Sequence, residues 1–192
     1  MNKQPEITEQ TKRNIIDAFW KILKKKRLDK ITVKEIADVA GYNRSTFYAY
    51  FTSVSDILEQ EENILLHYIH DNASKILFPH LIKGLRPKAS DLYFFTKSEH
   101  LKILLSENGD PKFKGKLKKT IVPIAFNAFN LPKDNIHAEY LCEFCFSAVI
   151  STIIHWYENQ EIEIDELFDI LWTMVTKGVL FEYKKLISNI HT

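Results

Sequence analysis

Glycine and proline are scarce in this 192-residue sequence, which contains 5 glycines and 6 prolines. An all-β sandwich or barrel needs tight turns at short intervals, and these two residues supply such turns. The scarcity therefore argues against those folds. Hydrophobic residues make up 45% and charged residues 27% of the chain, which excludes a disordered or collagen-like chain and leaves ample material for a core.

The sequence also has few cysteines and no long apolar run. Its two cysteines, Cys142 and Cys145, are too few and too close for a disulfide framework, so a reducing, cytoplasmic location is expected. The polar N-terminus contains no signal-peptide core. The longest apolar stretch without Asp, Glu, Lys or Arg, residues 144–157, has 14 residues and includes hydroxyl groups, so no membrane span is predicted.

Positive charge is concentrated near the N-terminus, although the net charge of the chain is only +1. Residues 1–52 contain 11 Lys and Arg against 6 Asp and Glu, whereas residues 53–192 contain 15 against 19. This asymmetry indicates an N-terminal segment that meets a polyanion and a remainder that does not.

Apolar residues recur at three- and four-residue spacing almost throughout, and no period-two alternation lasts for the length of a strand. The pattern predicts an all-α chain. Beyond the first 54 residues, it predicts helices over 55–78, 88–97, 99–107, 112–129, 134–159 and 165–190. The first of these is expected to stop at Pro79, which cannot continue a helix.

Residues 32–50 have the spacing of a helix-turn-helix. Thr32 and Glu35 form a capping-box pattern at the start of one helix. Gly41 can take the positive φ of the residue that follows a helix, and Asn43 can cap the next helix, expected from residue 44 to about 50.

The second of these helices has two different sides. Phe47 and Phe51 are expected to pack inward. The other side carries hydrogen-bond formers of the kind that contact phosphates and base edges: Arg44, Ser45, Thr46, Tyr48 and Tyr50. An ordinary helical hairpin with a polar face is the alternative interpretation, and the positive charge of the segment favours DNA binding over it.

Several of these residues match, in order, a pattern of the TetR-type transcriptional repressors. The matching residues are Thr32-Val33-Lys34-Glu35-Ile36-Ala37, Ala40-Gly41, Ser45-Thr46-Phe47-Tyr48 and Tyr50-Phe51. The resemblance implies a three-helix DNA-binding head, residues 1–54, on a larger helical ligand-binding and dimerisation body, residues 55–192. It also implies a homodimer that binds a double-stranded DNA operator and represses transcription until a small-molecule effector binds.

By the same resemblance, Lys34 would touch phosphate, Arg44 and Ser45 base edges, and the tyrosines mainly the DNA backbone. The complete set of implied DNA-binding residues is Thr32, Lys34, Asn43, Arg44, Ser45, Thr46, Tyr48 and Tyr50. Two positions depart from the family pattern. Tyr42-Asn43 replaces the usual Val-Ser, and Val54 stands where the family usually has a lysine, so we expect one phosphate contact fewer per subunit.

The segment 134–190 is the expected dimer interface. Between Tyr140 and Tyr157 only Glu143 is charged, so the helix there is apolar nearly all round, and small residues in the segment let helices approach closely. The predicted interface residues are Ala148, Thr152, Leu171, Met174 and Gly178. A large monomeric core is the alternative interpretation of the same pattern.

Aromatic side chains of the body are candidates for an effector pocket, namely Phe94, Phe126, His155 and Trp156, with plain core packing as the alternative. The sequence leaves three alternatives: a body that binds a protein partner, a metal site of the two cysteines with His137 or His155, and a hydrolase with a cysteine nucleophile. The sequence predicts no catalytic residue, no metal and no cofactor.

Overall fold

The computed structural model describes residues 4–88 and 98–178, with side chains from residue 8 onward. Over these residues the chain is helical and contains no β-strand, which confirms the all-α prediction. The helices are α1 (Gln4–Leu23), α2 (Val33–Ala40), α3 (Arg44–Tyr48), α4 (Val54–Asn72), α5 (Phe78–Ile82), α6 (Glu99–Leu105), α7 (Phe113–Ala128), α8 (Ile136–Asn159) and α9 (Ile164–Lys177). The predicted helix over 88–97 and the end of the one over 165–190 lie outside the described residues.

Helix α1 presents an apolar stripe to the neighbouring helices. Ile15, Phe19 and Leu23, spaced four residues apart, are fully buried. Helix α1 packs on α2, and α2 packs on α3. A basic run, residues 24–27, follows the end of α1, where positive charge favours the exposed carbonyl groups of the last turn. A 3-10 turn at Leu28–Lys30 then leads into α2.

The prediction that the long helix stops at Pro79 is wrong. Helix α4 ends at Asn72, and a π-helical turn, Ala73–Leu77, joins it to α5. Within this wider turn the Phe78 N–H donates to the Ala73 carbonyl. Pro79 then falls in the first turn of α5, where a residue without an N–H removes no helical hydrogen bond. The chain therefore remains helical as far as Ile82.

Packing divides the chain into two compact units, Met1–Tyr68 with Glu99–Leu117 (unit 1) and Ile69–Ser98 with Lys118–Thr192 (unit 2). In unit 1, the Trp20 indole of α1 stacks on the His100 ring of α6, with ring centroids 4.0 Å apart and planes within 4°. The Asn108 carbonyl accepts a 3.1 Å hydrogen bond from the Leu28 N–H. A segment distant in sequence therefore packs on the first helix. The predicted functional boundary after residue 54 remains a prediction.

Unit 2 has an apolar cluster of its own around Ala73, Phe78 and Ile124. Near α9, Arg86 pairs with Asp169 at 2.6 Å and donates to the Asp165 carbonyl at 3.0 Å. These contacts attach the chain that follows α5 to the first turns of α9.

Helix α8, with 24 residues and a mean hydropathy of 1.2 in its most apolar window, has the length and composition to cross a membrane. Such a helix is weak evidence for a membrane span, because the core helix of a soluble protein meets the same criteria. One side of α8, including Phe146, Ile150 and Ile153, is buried in the protein.

The packing of residues 99–117 into unit 1 leads to a stability prediction. Phe113 is fully buried, so Phe113→Ala should lower the free energy of unfolding by about 3–5 kcal/mol, measured by chemical denaturation. Phe129→Ala is the matched control. Because Phe129 is 46% exposed, this variant should lower the free energy of unfolding far less. Equal losses in the two variants would contradict the packing of Phe113 as a core residue.

Candidate nucleic-acid interface

The start of α2 is held by the predicted capping box. The Thr32 hydroxyl accepts a 3.3 Å hydrogen bond from the Glu35 N–H, and the Glu35 carboxylate accepts from the Thr32 N–H at 3.0 Å. The prediction for these two residues is confirmed. Lys26 also donates to the Glu35 carboxylate, at 2.6 Å. The hydrogen bonds from Lys26 and then from Thr32 hold the pKa of Glu35 below its ordinary value.

The turn between α2 and α3 contains the first departure from the family pattern, and the structure supplies its physical explanation. Gly41 adopts φ +79°, as predicted for a residue that ends a helix in the left-handed region. The Tyr42 hydroxyl accepts a 3.0 Å hydrogen bond from the Asn14 side chain of α1. Asn14 in turn accepts a hydrogen bond from Gln10 at 2.8 Å. Tyr42 therefore fastens the turn to α1, a role that a valine could not perform.

Asn43 caps α3, as predicted. Its side-chain oxygen accepts hydrogen bonds from the Thr46 N–H at 2.8 Å, the Thr46 hydroxyl at 2.9 Å and the Ser45 hydroxyl at 2.6 Å. The protons of both hydroxyl groups are thus directed into the cap. The hydroxyl oxygens of Ser45 and Thr46 can still accept hydrogen bonds from a ligand, but their protons are already donated to Asn43.

The apolar side of α3 faces the core and its polar side faces the solvent, as the sequence predicts. Phe47 is fully buried and Phe51 is 1% exposed. Arg44 and Ser45 are exposed, Thr46 and Tyr50 are half-buried, and Tyr48 is 57% exposed. An apolar side chain therefore anchors the helix beneath a polar, solvent-facing surface.

Two cations stand on this surface without an ion pair among the residues that the structure describes, Lys34 of α2 and Arg44 of α3. Such side chains can bind an external anion without first losing an internal partner. With the exposed Tyr48 hydroxyl, they supply the donors that Ser45 and Thr46 do not.

Val54, the second departure, is the first residue of α4 and is half-buried. Lys12 of α1 is close to this helix start, with its ammonium group 5.6 Å from the centre of the Phe51 ring. The Asp56 carboxylate caps the preceding loop by accepting from the Thr52 N–H at 2.7 Å, and this hydrogen bond lowers the pKa of Asp56. The sequence carried no signal for the position of Lys12.

The predicted pocket residues differ in burial. Phe126 and Trp156 are half-buried, His155 is exposed, and Phe94 lies outside the described residues. The Trp156 N–H donates to the Ile162 carbonyl at 2.8 Å, which supports the turn between α8 and α9. A shallow depression is lined by residues 132–137, none of which was predicted. The effector site remains a prediction.

The predicted interface residues lie on α8 (Ala148 and Thr152), within α9 (Leu171 and Met174) and directly after α9 (Gly178). Ala148 and Thr152 are half-buried, and the Thr152 hydroxyl donates to the Ala148 carbonyl at 2.9 Å. Leu171 is 7% exposed and so has little surface left for a partner, while Met174 and Gly178 are half-buried. Sequence reasoning missed a more exposed set on α8: Ile136, Tyr140, Leu141 and Phe144, which are 56%, 72%, 56% and 62% exposed.

The two cysteines are unpaired and half-buried on α8. Burial raises the pKa of both thiols, with the neighbouring Cys145 adding to the effect on Cys142. A raised pKa disfavours the thiolate that a nucleophile or a metal ligand requires. Among the described residues, no group of three or more His, Cys, Asp or Glu could hold a metal ion.

Two family models match the sequence. Residues 15–60 match the model described as bacterial regulatory proteins, tetR family, and residues 92–177 match the model of a transcriptional regulator C-terminal region. No curated protein matches the chain.

Solved structures share the fold. A TetR transcriptional regulator from Streptococcus agalactiae 2603V has a TM-score of 0.64 and 24% identity, covering 90% of this chain and 97% of its own. A tetR-family regulator from Streptomyces coelicolor has a TM-score of 0.60 and 17% identity, covering 93% and 89%. The fatty acid degradation regulator FadR from Bacillus halodurans has a TM-score of 0.54 and 15% identity, covering 88% and 96%.

The hydrogen bond at Tyr42 leads to a second stability prediction. Tyr42→Phe should lower the free energy of unfolding by about 0.5–1.5 kcal/mol, because it leaves the Asn14 amide without this acceptor. Tyr48→Phe removes an exposed hydroxyl of the same kind and should leave stability unchanged in thermal unfolding without DNA. If Asn14→Ala and Tyr42→Phe lowered stability additively, the two side chains would not be coupled.

Proposed function

Since the chain belongs to the TetR family of transcriptional regulators, we propose that it binds a palindromic DNA operator as a homodimer and represses transcription until an effector binds. Membership of the family implies DNA-binding regulation. The symmetry of the operator, the dimer, the repression and the response to an effector are parts of the proposal. A cytoplasmic location follows from it, because the DNA is there.

The observation that carries this proposal is the two-sided α3. Phe47 anchors the helix, while Arg44 and Tyr48 are exposed on it. An arginine at the start of a recognition helix is placed to contact bases in the major groove, most often guanine through two hydrogen bonds. Arg44 is therefore the proposed base-reading residue, together with Ser45 as an acceptor of hydrogen bonds.

The other residues of the interface are proposed to position the head on the DNA backbone. Lys34, Tyr48 and Tyr50 can donate to phosphate oxygens. Thr32, Asn43 and Thr46 support the contact from within, because their side chains hold the starts of α2 and α3. Phosphate contacts of this kind raise affinity for every sequence alike, and they make binding depend on salt.

The proposed dimer uses the exposed face of α8. Ile136, Tyr140 and Phe144 follow one another at four-residue spacing on one side of the helix, and Ala148 continues the row. On α9, exposed Val175 offers more surface than the predicted Leu171. A second copy of the chain is the proposed occupant, since two-fold symmetry would present two recognition helices to the two half-sites of a palindrome.

The effector is proposed to act on the body, where Phe126 and Trp156 are half-buried aromatic residues of unit 2. An effector that binds one arrangement of the dimer more tightly than another shifts the population towards it. The proposed consequence is a lower affinity for the operator.

Selection of bound duplexes from a random DNA pool tests the proposal as a whole. A palindromic consensus would support operator binding by a symmetric dimer, and the selected duplex then serves as the probe for the variants below. A protein that enriches no sequence at moderate salt would contradict specific binding.

Arg44 and Lys34 are proposed to have different roles on the DNA, Arg44 in contacts to bases and Lys34 in contacts to phosphates. Arg44→Ala should cost about 1–3 kcal/mol on the selected duplex and relax the preference at one base position per half-site. Lys34→Ala is the control for phosphate binding, and it should weaken all sequences equally while reducing the slope of log K against log salt by about 1.8 per dimer. An unchanged base preference in the Arg44 variant would remove Arg44 from base reading.

The dimer surface has a test that does not require DNA. Phe144→Glu places a charge in the centre of the proposed interface, where burial without a partner costs about 3–5 kcal/mol. Because Phe144 is 62% exposed, each protomer should still fold, and sedimentation should show a monomer. Ile82→Glu alters a similarly exposed residue, at 54%, on α5 and should leave the dimer intact. A dimeric Phe144 variant would place the interface elsewhere.

A further inference from the structure

Glu62, on α4 in unit 1, is the only charged residue that is fully buried among those the structure describes, and its side chain is 1% exposed. A buried carboxylate is costly unless its charge is paired and its oxygens are hydrogen-bonded. None of the DNA contacts proposed above uses Glu62. Its presence in the core therefore requires a separate explanation.

The side chain of Lys116, on α7, donates to one oxygen of Glu62. The same ammonium group pairs with Asp110, in the loop before α7, at 3.1 Å. Asp110 is itself fixed, because its other oxygen accepts from the Lys112 N–H at 2.9 Å. Two carboxyl groups and one ammonium group thus form a compact cluster between α4 and α7.

The second oxygen of Glu62, Oε1, receives no hydrogen bond from a donor in the described part of the chain. Glu62 and Asp110 instead share the Lys116 ammonium group, which donates to one oxygen of each carboxyl group. Two ionised carboxylates beside one ammonium group would leave an uncompensated negative charge in the core, and a proton on one of the two removes it. Glu62 is the more deeply buried of the pair, with 1% of its side chain exposed against 10% for Asp110.

We propose that Glu62 holds this proton, so that the cluster is a proton-dependent clasp between α4 and α7. When the proton is lost, two buried anions face a single ammonium group and the clasp weakens. Helix α4 begins six residues after α3 ends, and its Asp56 holds the intervening loop. The proposal includes a coupling of the clasp to the recognition helix through α4 and this loop, and this part rests on the proposed DNA binding.

The charged groups that act on Glu62 are Lys116 of α7 and Asp110 of the loop before it. On its own helix, the neighbouring Glu61 is engaged by the Trp20 N–H at 3.0 Å, and Glu59 is exposed. Burial is the main cause that raises the pKa of Glu62; Lys116 opposes this effect and Asp110 adds to it. Burial also acts to raise the pKa of Asp110, but the hydrogen bonds from Lys112 and Lys116 outweigh it, and the pKa falls.

The raised pKa of Glu62 and the lowered pKa of Asp110 determine how the stability of the fold depends on pH. Because the pKa of Glu62 is raised from 4.5, its contribution is fully present below pH 4.5 and is lost as the pH rises through the folded-state pKa. Because the pKa of Asp110 is lowered from 3.8, its contribution is present above pH 3.8 and is lost in more acidic solution. The two groups therefore act in separate pH ranges.

The test is thermal unfolding of the full chain as a function of pH above 4.5, without DNA. Glu62→Gln mimics the protonated side chain, so its melting temperature should lack the decline with rising pH that the unaltered protein shows. Glu59→Gln removes an exposed carboxylate from the same helix and should keep the decline. A Glu62 variant that declines in parallel with the unaltered protein would overturn the proposal.

Asp110→Asn provides a second variant in case the change at Glu62 prevents folding. It removes the facing negative charge, so Glu62 should ionise more readily beside Lys116, and the decline should shrink. An undiminished decline in this variant would also overturn the clasp.

The link to DNA is measured with the selected duplex. Operator affinity of the unaltered protein should fall as the pH rises in the same range, and that of the Glu62 variant should fall less. Equal pH dependence in the two proteins would overturn the link. Failure to obtain a duplex would count against the proposed function alone, because the unfolding experiment does not depend on it.

Discussion

A helix of five residues is not stable in water by its own hydrogen bonds, because ordering the first turn loses more conformational entropy than its hydrogen bond offsets. Helix α3 is of this length, so its position depends on burial of the Phe47 ring and on the cap provided by Asn43. With both in place, the orientation of the helix is fixed, and the side chains that are not buried with Phe47 face the solvent. The exposed arrangement of Arg44 and Tyr48 is a consequence of that anchoring.

The polar residues around α3 divide between holding the helices and offering free donors. Asn43 gathers the hydroxyl protons of Ser45 and Thr46 into one cap. Lys34 and Arg44 are exposed and supply positive charge towards the solvent. A polar residue in this segment is therefore not equivalent to a DNA contact, and the cations and tyrosines are the groups most available for one.

Unit 1 is completed by residues far along the chain. His100 stacks on Trp20, and Lys116 reaches Glu62. The buried ionic cluster of Glu62, Asp110 and Lys116 lies within unit 1. An interaction of this kind stabilises only when its geometry and protonation are correct, which makes it sensitive to conditions that leave apolar contacts unaffected.

The sequence by itself determined the all-α class and the helix-turn-helix, because Thr32, Gly41 and Asn43 act on backbone groups within a few residues of themselves. Tertiary structure decided the rest. The helix continued past Pro79 because a π-helical turn, packed through Ala73 and Phe78, changed the register before the proline. Helix α8 is apolar nearly all round, so only packing could show which side is buried. The Asn14–Tyr42 and Glu62–Lys116 contacts join residues 28 and 54 positions apart, and a separation of that size leaves no periodic signal in a sequence.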